Sequence, residues 1–183
     1  MIEKILIAGF GGQGIMLMGE LLAYAAMSEG KQVTYMPSYG PEMRGGTANC
    51  SVIISDKQIS SPIITEPTIL VVMNEPSLDK MEQLVRPNGS VFINKSIINR
   101  DVSRKDLKIH AIYCNELAQD IMSEKIANIV MLGALIKNTG IVSKVSIEKV
   151  MKQKFKGVKA ELLPMNFKAL SALGEDELLE TSA

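Results

Sequence analysis

The sequence contains no tryptophan, and aromatic residues make up only 4% of its 183 residues. Aromatic side chains are the platforms on which proteins stack the bases of single-stranded nucleic acids. Basic and acidic residues number 20 each, so the formal net charge is zero. A chain without a basic excess has no general electrostatic attraction for a polyanion. The composition therefore argues against nucleic-acid binding.

Cysteine and histidine are also scarce. The two cysteines, Cys50 and Cys114, are too few and too far apart for a disulfide framework or a four-cysteine cluster site. The single histidine, His110, cannot build a histidine-rich metal site. We therefore expect no metal site in this chain. If the protein takes part in electron transfer, the redox clusters must lie on another chain.

Long hydrophobic runs are missing as well. The first apolar run covers only residues 5–8 and leads straight into glycines. It is too short for a secretory signal or a membrane-spanning helix. Free thiols and no signal predict a cytoplasmic protein that does not contact a membrane.

What the sequence does contain is an alternation of short apolar runs with segments of helical periodicity. The runs have the length of buried strands, and they cover residues 5–8, 32–36, 47–55, 68–73, 90–94 and 108–114. Strands alternating with helices predict a three-layer α/β/α fold with a mainly parallel sheet and right-handed crossovers. The length suits one domain over residues 1–183, with residues 175–183 as a loose polar tail.

Local signals predict several boundaries. Residues 3–36 are expected to form a βαβ unit, and residues 37–46, with two prolines and three glycines, a loop. Gly140 is expected to end a helix and Ser146 to cap the start of the next one.

The first glycine-rich segment lies between a predicted strand and a predicted helix. Gly9, Gly11 and Gly14 satisfy the pattern G-x-G-x-x-G in the context that this motif requires. Such a turn lets the backbone approach a phosphate, and the following helix offers it free N–H groups and a positive dipole end. The same glycines would also let the helix pack closely on the sheet. Both interpretations remain open.

A dinucleotide site of the dehydrogenase type is disfavoured. It needs an acidic residue near the end of the second strand to bind the ribose. Here that strand ends in Tyr35-Met36-Pro37, and the first acid beyond it is Glu42.

The second glycine-rich segment covers residues 38–47. It follows the second strand, so in a parallel sheet it would share the carboxyl edge with the first glycine loop and form a cleft with it. Arg44, next to Gly45 and Gly46, would present a guanidinium and bare N–H groups to a phosphate or a carboxylate. Alternatively, Glu42 pairs with Arg44 or with neighbouring chains, and the glycines only turn the chain.

The two segments together resemble the gamma-subunit family of 2-oxoacid:ferredoxin oxidoreductases. Residues 9–14 read Gly-Phe-Gly-Gly-Gln-Gly, and residues 38–46 read Ser-Tyr-Gly-Pro-Glu-Met-Arg-Gly-Gly. The resemblance continues through residues 127–134 and at Asn166, Ala169 and Gly174, so it covers almost the whole chain. The second segment resembles the 2-oxoglutarate and branched-chain 2-oxoacid branch more than the pyruvate branch.

The resemblance implies the fold of the gamma domain of pyruvate:ferredoxin oxidoreductase and a role within a larger enzyme. Such an enzyme decarboxylates a 2-oxoacid on thiamine diphosphate, passes electrons through iron–sulfur clusters to ferredoxin, and transfers the acyl group to coenzyme A. The thiamine diphosphate and the clusters would belong to partner subunits of alpha, beta and ferredoxin-like delta type. The gamma domain would cap the active site and help bind coenzyme A. The isolated chain is expected to be inactive, and a homodimer of it is left open.

On this resemblance we expect the two loops to contact coenzyme A phosphates or a partner subunit, and we expect no catalytic residue in this chain. The candidate binding residues are Gly11, Gly12, Gln13, Gly14, Tyr39, Gly40, Arg44, Gly45 and Gly46.

Two other functions are weighed against this one. The first alternative is a stand-alone nucleotide-binding oxidoreductase of Rossmann type. The second is a non-catalytic ligand-binding regulatory domain. Asn128, in an apolar helical stretch, is expected to tie a neighbouring loop by a hydrogen bond rather than to face a ligand.

Overall fold

A computed structural model of the protein describes residues 1–39, 46–173 and 179–180; for Tyr39, residues 157–159 and residues 179–180 only the backbone is considered. The strands are β1 (Ile2–Phe10), β2 (Gln32–Tyr39), β3 (Thr47–Ser55), β4 (Ile69–Val72), β5 (Ser90–Asn94), β6 (Lys108–Ile112) and β7 (Leu179–Glu180). The helices are α1 (Ile15–Ser28), α2 (Glu75–Met81), α3 (Cys114–Ile121), α4 (Ala127–Thr139), α5 (Lys144–Lys154) and α6 (Leu163–Leu170).

Within the described residues the strands form one sheet in the order β2-β3-β1-β4-β5-β6-β7. Strands β1, β2, β4, β5 and β6 run in one direction, while β3 and β7 run against them. The predicted α/β fold with a mainly parallel sheet is confirmed.

The βαβ unit predicted for residues 3–36 is split. Strands β1 and β2 are parallel, as expected, but they are not neighbours. Strand β3 lies between them and pairs antiparallel with both, from Ile2↔Ser55 to Phe10↔Thr47 on one side and from Gln32↔Ser55 to Tyr39↔Ala48 on the other. Neighbour choice in a sheet depends on pairing between distant segments, which local patterns do not contain.

Two predicted boundaries are wrong by a few residues. Strand β2 continues through Pro37 to Tyr39, where the sequence predicts a loop. In the described sheet β2 is an edge strand, with β3 on one side and no strand on the other. An edge strand tolerates proline because the missing N–H can fall on the unpaired side. Strand β6 ends at Ile112, two residues early, and Cys114 begins α3 instead of ending the strand.

The sheet separates two hydrophobic cores, as the predicted three-layer arrangement requires. Ile5 and Ile7 of β1 face a large core built with α1, α3, α4, α5 and α6. Leu6 and Ala8 face the opposite core, which is closed by α2 and by residues 95–107. This alternation follows from the two-residue period of a strand, and it makes both faces of β1 apolar.

Capping residues define the ends of the helices. Asn74 caps α2 by accepting a hydrogen bond from Ser77 N at 2.9 Å. Gly140, with φ of 61°, ends α4 as predicted. The cap predicted for α5 is wrong, because Ser143 and not Ser146 accepts the hydrogen bond, from Ser146 N at 3.1 Å. The first two residues of α5, Lys144 and Val145, are exposed, so the buried apolar pattern of the helix begins only at Ile147 and does not show where the helix starts.

The C-terminal part begins with a 3₁₀ turn, Gly157–Leu162, which leads into α6. Of the polar tail predicted for residues 175–183, the structure describes Leu179–Glu180, which pair antiparallel with Ala111 and His110 of β6. No helix in the described part of the chain is long and apolar enough to cross a membrane.

Candidate functional site at the carboxyl edge of the sheet

The sheet has a topological switch point between β1 and β4. After β1 the chain passes through α1 to β2 on one side, and after β4 it passes through α2 to β5 on the other side. Adjacent loops therefore diverge at the carboxyl ends of these two strands. Open α/β sheets bind ligands in the crevice that forms at such a point.

The two glycine-rich segments meet at this edge. Gly11 N donates a hydrogen bond to Gly46 O at 2.9 Å, directly beyond the last β1–β3 pair, Phe10↔Thr47. Tyr39, the last residue of β2, pairs with Ala48 at the same end of the sheet. The predicted proximity of the two segments is confirmed for these residues. Gly40, Arg44 and Gly45 lie outside the described residues, so their predicted role stays a prediction.

The Gln13 side chain holds the first glycine loop in place. Its Oε1 accepts a hydrogen bond from Phe10 N at 2.7 Å, and its Nε2 donates one to Met73 O at 2.9 Å. Asn74 Nδ2 lies 3.4 Å from the same Oε1. The amide thus closes the loop and connects β1 to the end of β4, a positioning role that the sequence analysis does not anticipate.

Gly14 is the residue where the loop becomes a helix. It caps α1 in the left-handed conformation, with φ of 74°, and no side chain caps this helix. Asn128 of α4, 4% exposed, donates from Nδ2 to Gly14 O at 3.3 Å and fills the space that a Cβ at residue 14 would need. The prediction that Asn128 ties a neighbouring loop is confirmed.

A cleft of about 270 Å³ opens beside the loop. Its polar wall contains Asn94, which is fully buried, and Asn115, whose Oδ1 accepts from Asn94 Nδ2 at 2.9 Å. The lining residues are Gly12, Gln13, Met73, Asn94, Ile97, Asn115, Glu124, Lys125, Ala127 and Asn128. Lys125 is the single cation among them, and it lies in the turn that precedes α4.

Anion binding is the chemistry that this arrangement favours. The amino end of a helix carries unsatisfied N–H groups and a positive dipole end. Gly12, with φ of 101°, has nothing within 4 Å of the place where a Cβ would lie, so a ligand can approach its backbone. Backbone N–H groups and neutral carboxamides suit a phosphate ester with polar substituents, while Lys125 and Glu124 contribute one charge of each sign to the cleft lining.

Comparison with known proteins identifies the family. Residues 4–173 match the family model described as pyruvate ferredoxin/flavodoxin oxidoreductase. The chain belongs to this family. The predicted resemblance is confirmed. Membership of this family favours an oxidoreductase subunit over a stand-alone Rossmann oxidoreductase and over a regulatory domain.

Two relatives of this oxidoreductase-family chain are informative. It is 38% identical over 172 residues to ketoisovalerate oxidoreductase subunit VorA of Methanothermobacter marburgensis, covering 92% of this chain and 35% of the relative. It is 38% identical over 152 residues to 2-oxoglutarate synthase subunit KorC of Methanocaldococcus jannaschii, covering 81% of each. The chain thus spans about a third of the VorA relative and most of the KorC relative.

A solved structure agrees with these sequence comparisons. The gamma subunit of a keto/oxoacid ferredoxin oxidoreductase from Geobacter sulfurreducens is similar to the oxidoreductase-family chain with a TM-score of 0.79 and 31% identity. The similarity covers 93% of this chain and 95% of that subunit.

The thiols of this family member are poor candidates for chemistry. Cys50 and Cys114 are both free and buried. Burial raises the pKa of Cys50 to about 12 and raises that of Cys114 as well, so both remain protonated at neutral pH. Among the residues that the structure describes, no group of three or more His, Cys, Asp and Glu side chains has metal-site geometry.

One wall of the cleft was not predicted from the sequence. Asn94 is the last residue of β5, and Asn115 lies in the first turn of α3, three residues after β6 ends, so both sit at the carboxyl edge of the sheet. Polar residues at or shortly after the ends of buried parallel strands were the available signal. Glu124 and Lys125 had no such signal, because a turn before a helix is usually solvated.

A larger cavity, of about 400 Å³, lies elsewhere, between α4, α5 and α6. It shares no lining residue with the cleft beside the glycine loop. None of the described residues of the two glycine-rich segments lines it, so the loop cleft remains the candidate site of this family member.

Proposed function

We propose that the chain is the gamma subunit of a thiamine-dependent 2-oxoacid:ferredoxin oxidoreductase. In that enzyme it caps the active site and helps bind coenzyme A during oxidative decarboxylation to an acyl-coenzyme A. The observation that carries this proposal is the hydrogen bond from Gly11 N to Gly46 O, which joins the two family segments beside a cleft.

The glycine loop suits the phosphate-bearing part of coenzyme A. Gly12 leaves its backbone accessible near the amino end of α1, where negative charge is stabilised, and the left-handed Gly14 begins that helix. Lys125, which lines the cleft next to Glu124, supplies a positive charge. Gln13 acts indirectly here, since its amide holds the loop.

The second segment completes the proposed contact surface. Gly46 is held against Gly11, and Tyr39 ends the neighbouring strand. Tyr39, Gly40, Arg44, Gly45 and Gly46 are proposed to contact coenzyme A or the partner subunit at the entrance to the active site. An arginine flanked by glycines is well suited to a phosphate because its planar guanidinium can form two parallel hydrogen bonds.

The decarboxylation and electron transfer are assigned to partner subunits. Alpha, beta and ferredoxin-like delta chains are proposed to hold thiamine diphosphate and iron–sulfur clusters, with ferredoxin as electron acceptor. The buried, protonated thiols of Cys50 and Cys114 are consistent with this division. As substrate we favour 2-oxoglutarate or a branched-chain 2-oxoacid, since relatives bear the names 2-oxoglutarate synthase and ketoisovalerate oxidoreductase.

Steady-state kinetics of the assembled complex test the proposal. Gly12→Ala places a side chain at the cleft and strains a residue with φ of 101°. Gly30→Ala is the matched control, because Gly30 also has positive φ and open space but lies after α1, away from the cleft. We expect Gly12→Ala to raise the KM for coenzyme A about tenfold with little change in the KM for the 2-oxoacid, and Gly30→Ala to change neither.

Equal coenzyme A kinetics for the two variants would show that the loop does not contact the coenzyme. Arg44→Ala tests the second segment in the same assay. If assembly, coenzyme A affinity and turnover were all unchanged, the role proposed for Arg44 would be withdrawn.

A further inference from the structure

Asn128 and Gly14 are 114 positions apart in the sequence, yet each restricts the other. Asn128 is the second residue of α4 and is 4% exposed, and its Nδ2 donates to Gly14 O at 3.3 Å. Its amide group also occupies the space where a Cβ of residue 14 would lie. A larger side chain at either position would push the helix amino end away from α4.

The hydrogen bond acts on one peptide group. Gly14 O also accepts the first helical hydrogen bond of α1, from Met18 N at 3.0 Å. In a trans peptide the carbonyl of residue 14 and the N–H of residue 15 point in opposite directions. The hydrogen bonds from Asn128 and Met18 hold this carbonyl towards the body of the helix. They therefore keep the N–H of Ile15 pointing away from it, at the open amino end of α1.

Asn128 also connects the loop to the turn that precedes α4. The turn Glu124–Ile126 leads directly into α4, and its residues Glu124 and Lys125 line the cleft together with Asn128. The distance between the glycine loop and Lys125 therefore depends on how α4 is seated against Gly14.

We propose that Asn128 is a positioning residue for anion binding at the glycine loop. It orients the peptide between Gly14 and Ile15 and sets the spacing between the loop and Lys125. This inference rests on the proposed function, since coenzyme A is the anion taken to bind there.

Asn128→Asp in the assembled complex is the direct test. Aspartate has nearly the same shape, but its carboxylate cannot donate to Gly14 O and adds a negative charge beside the anion. We expect the KM for coenzyme A to rise about tenfold or more. The kcat at saturating coenzyme A and the KM for the 2-oxoacid should stay within about twofold.

The same helix offers a matched control. Asn138, in the last turn of α4, donates from Nδ2 to Ala134 O at 2.8 Å and does not line the cleft. Asn138→Asp makes the same chemical change, and we expect coenzyme A kinetics like those of the unmodified protein.

The dependence on pH separates positioning from a general packing defect. A protonated aspartate can donate a hydrogen bond, so lowering the pH towards the carboxyl pKa should reduce the ratio of KM values between Asn128→Asp and the unmodified enzyme. A packing defect would leave this ratio constant. Asn128→Ala removes the donor without adding a charge, so the same selective rise in the KM for coenzyme A in this variant separates the lost hydrogen bond from charge repulsion. An unchanged KM in Asn128→Ala would overturn the positioning role, and this variant also serves if Asn128→Asp does not assemble with its partners.

The outcomes distinguish this inference from the function on which it rests. If Gly12→Ala raises the KM for coenzyme A while Asn128→Asp behaves like Asn138→Asp, the positioning role is overturned and the proposed function stands. If neither Gly12→Ala nor Asn128→Asp changes this KM, the proposed function fails, and the inference fails with it.

Discussion

Gln13 Nε2 donates a hydrogen bond to Met73 O at 2.9 Å, and this contact joins the carboxyl ends of β1 and β4. The two strands are parallel neighbours at the topological switch point of the sheet. The crevice between their following loops is therefore maintained by a side chain of the glycine loop itself. The sequence pattern counts Gln13 as one of the intervening positions, but the structure gives it the central role in shaping the turn.

The first prediction concerns this amide. Gln13→Glu keeps the acceptor for Phe10 N but replaces the donor to Met73 O with a carboxylate oxygen. Two acceptors would then face each other in a partly buried place, and we expect a loss of about 2 kcal/mol in the free energy of unfolding. Urea denaturation at neutral pH measures it. Gln58→Glu, at an exposed position, is the control and should change stability by less than about 0.5 kcal/mol; equal midpoints for the two variants would contradict the prediction.

The second prediction concerns the buried carboxylate of Glu82. Burial alone would raise its pKa, but hydrogen bonds from Ser103 and Arg104 and the Arg100 guanidinium 3.0 Å away bring the pKa below its usual value. A lowered pKa in the folded state means that the stabilisation is fully present above the unfolded pKa. It is lost as the pH falls through the folded pKa.

Glu82→Gln should therefore reduce stability at pH 7 by about 2 kcal/mol. The stability of the variant should also fall less steeply than that of the unmodified protein below about pH 4. Denaturation curves across the acid range measure both effects. Glu66→Gln, on an exposed residue, is the comparison, and a Glu82→Gln curve parallel to it would refute the assignment.

The third prediction separates the cap seen in the structure from the cap predicted by the sequence. Ser143 Oγ accepts from Ser146 N, and Ser143 N donates to Glu29 Oε1 at 2.7 Å. Ser143→Ala removes the capping oxygen and should cost about 1 kcal/mol. Ser146→Ala keeps that cap and should cost less than half as much. Thermal denaturation of the two variants decides between them, and a larger loss for Ser146→Ala would favour the cap predicted from the sequence.

Much of the fold could be predicted because its signals are local. The bounds of β3 and β5 follow directly from their apolar runs. Gly140 ends α4 because glycine readily adopts the left-handed backbone conformation found at helix ends. The insertion of β3 between β1 and β2 could not be predicted in this way, since the residues of Thr47–Ser55 do not indicate which strands β3 will pair with.

The candidate site was predictable to a similar extent. The glycine loop was visible as a motif, and its meeting with Gly46 followed from the direction of parallel strands. The wall with Asn94, Asn115 and Lys125 was not predicted, because it is assembled from three separate segments. The position of Asn94 and Asn115 near the ends of parallel strands was a signal for two of them, whereas Lys125 looks ordinary in its own segment.

The amino-acid sequence alone determined the alternation of strands and helices, the glycine turn after β1 and the family resemblance, because periodicity and backbone preference act over a few neighbouring residues. Only the tertiary structure decided that Asn128 would hold Gly14, that Gln13 would reach Met73 and that β3 would separate β1 from β2. Such contacts arise when distant segments bury their apolar faces together, and a local pattern specifies which face is buried but not which segment will cover it.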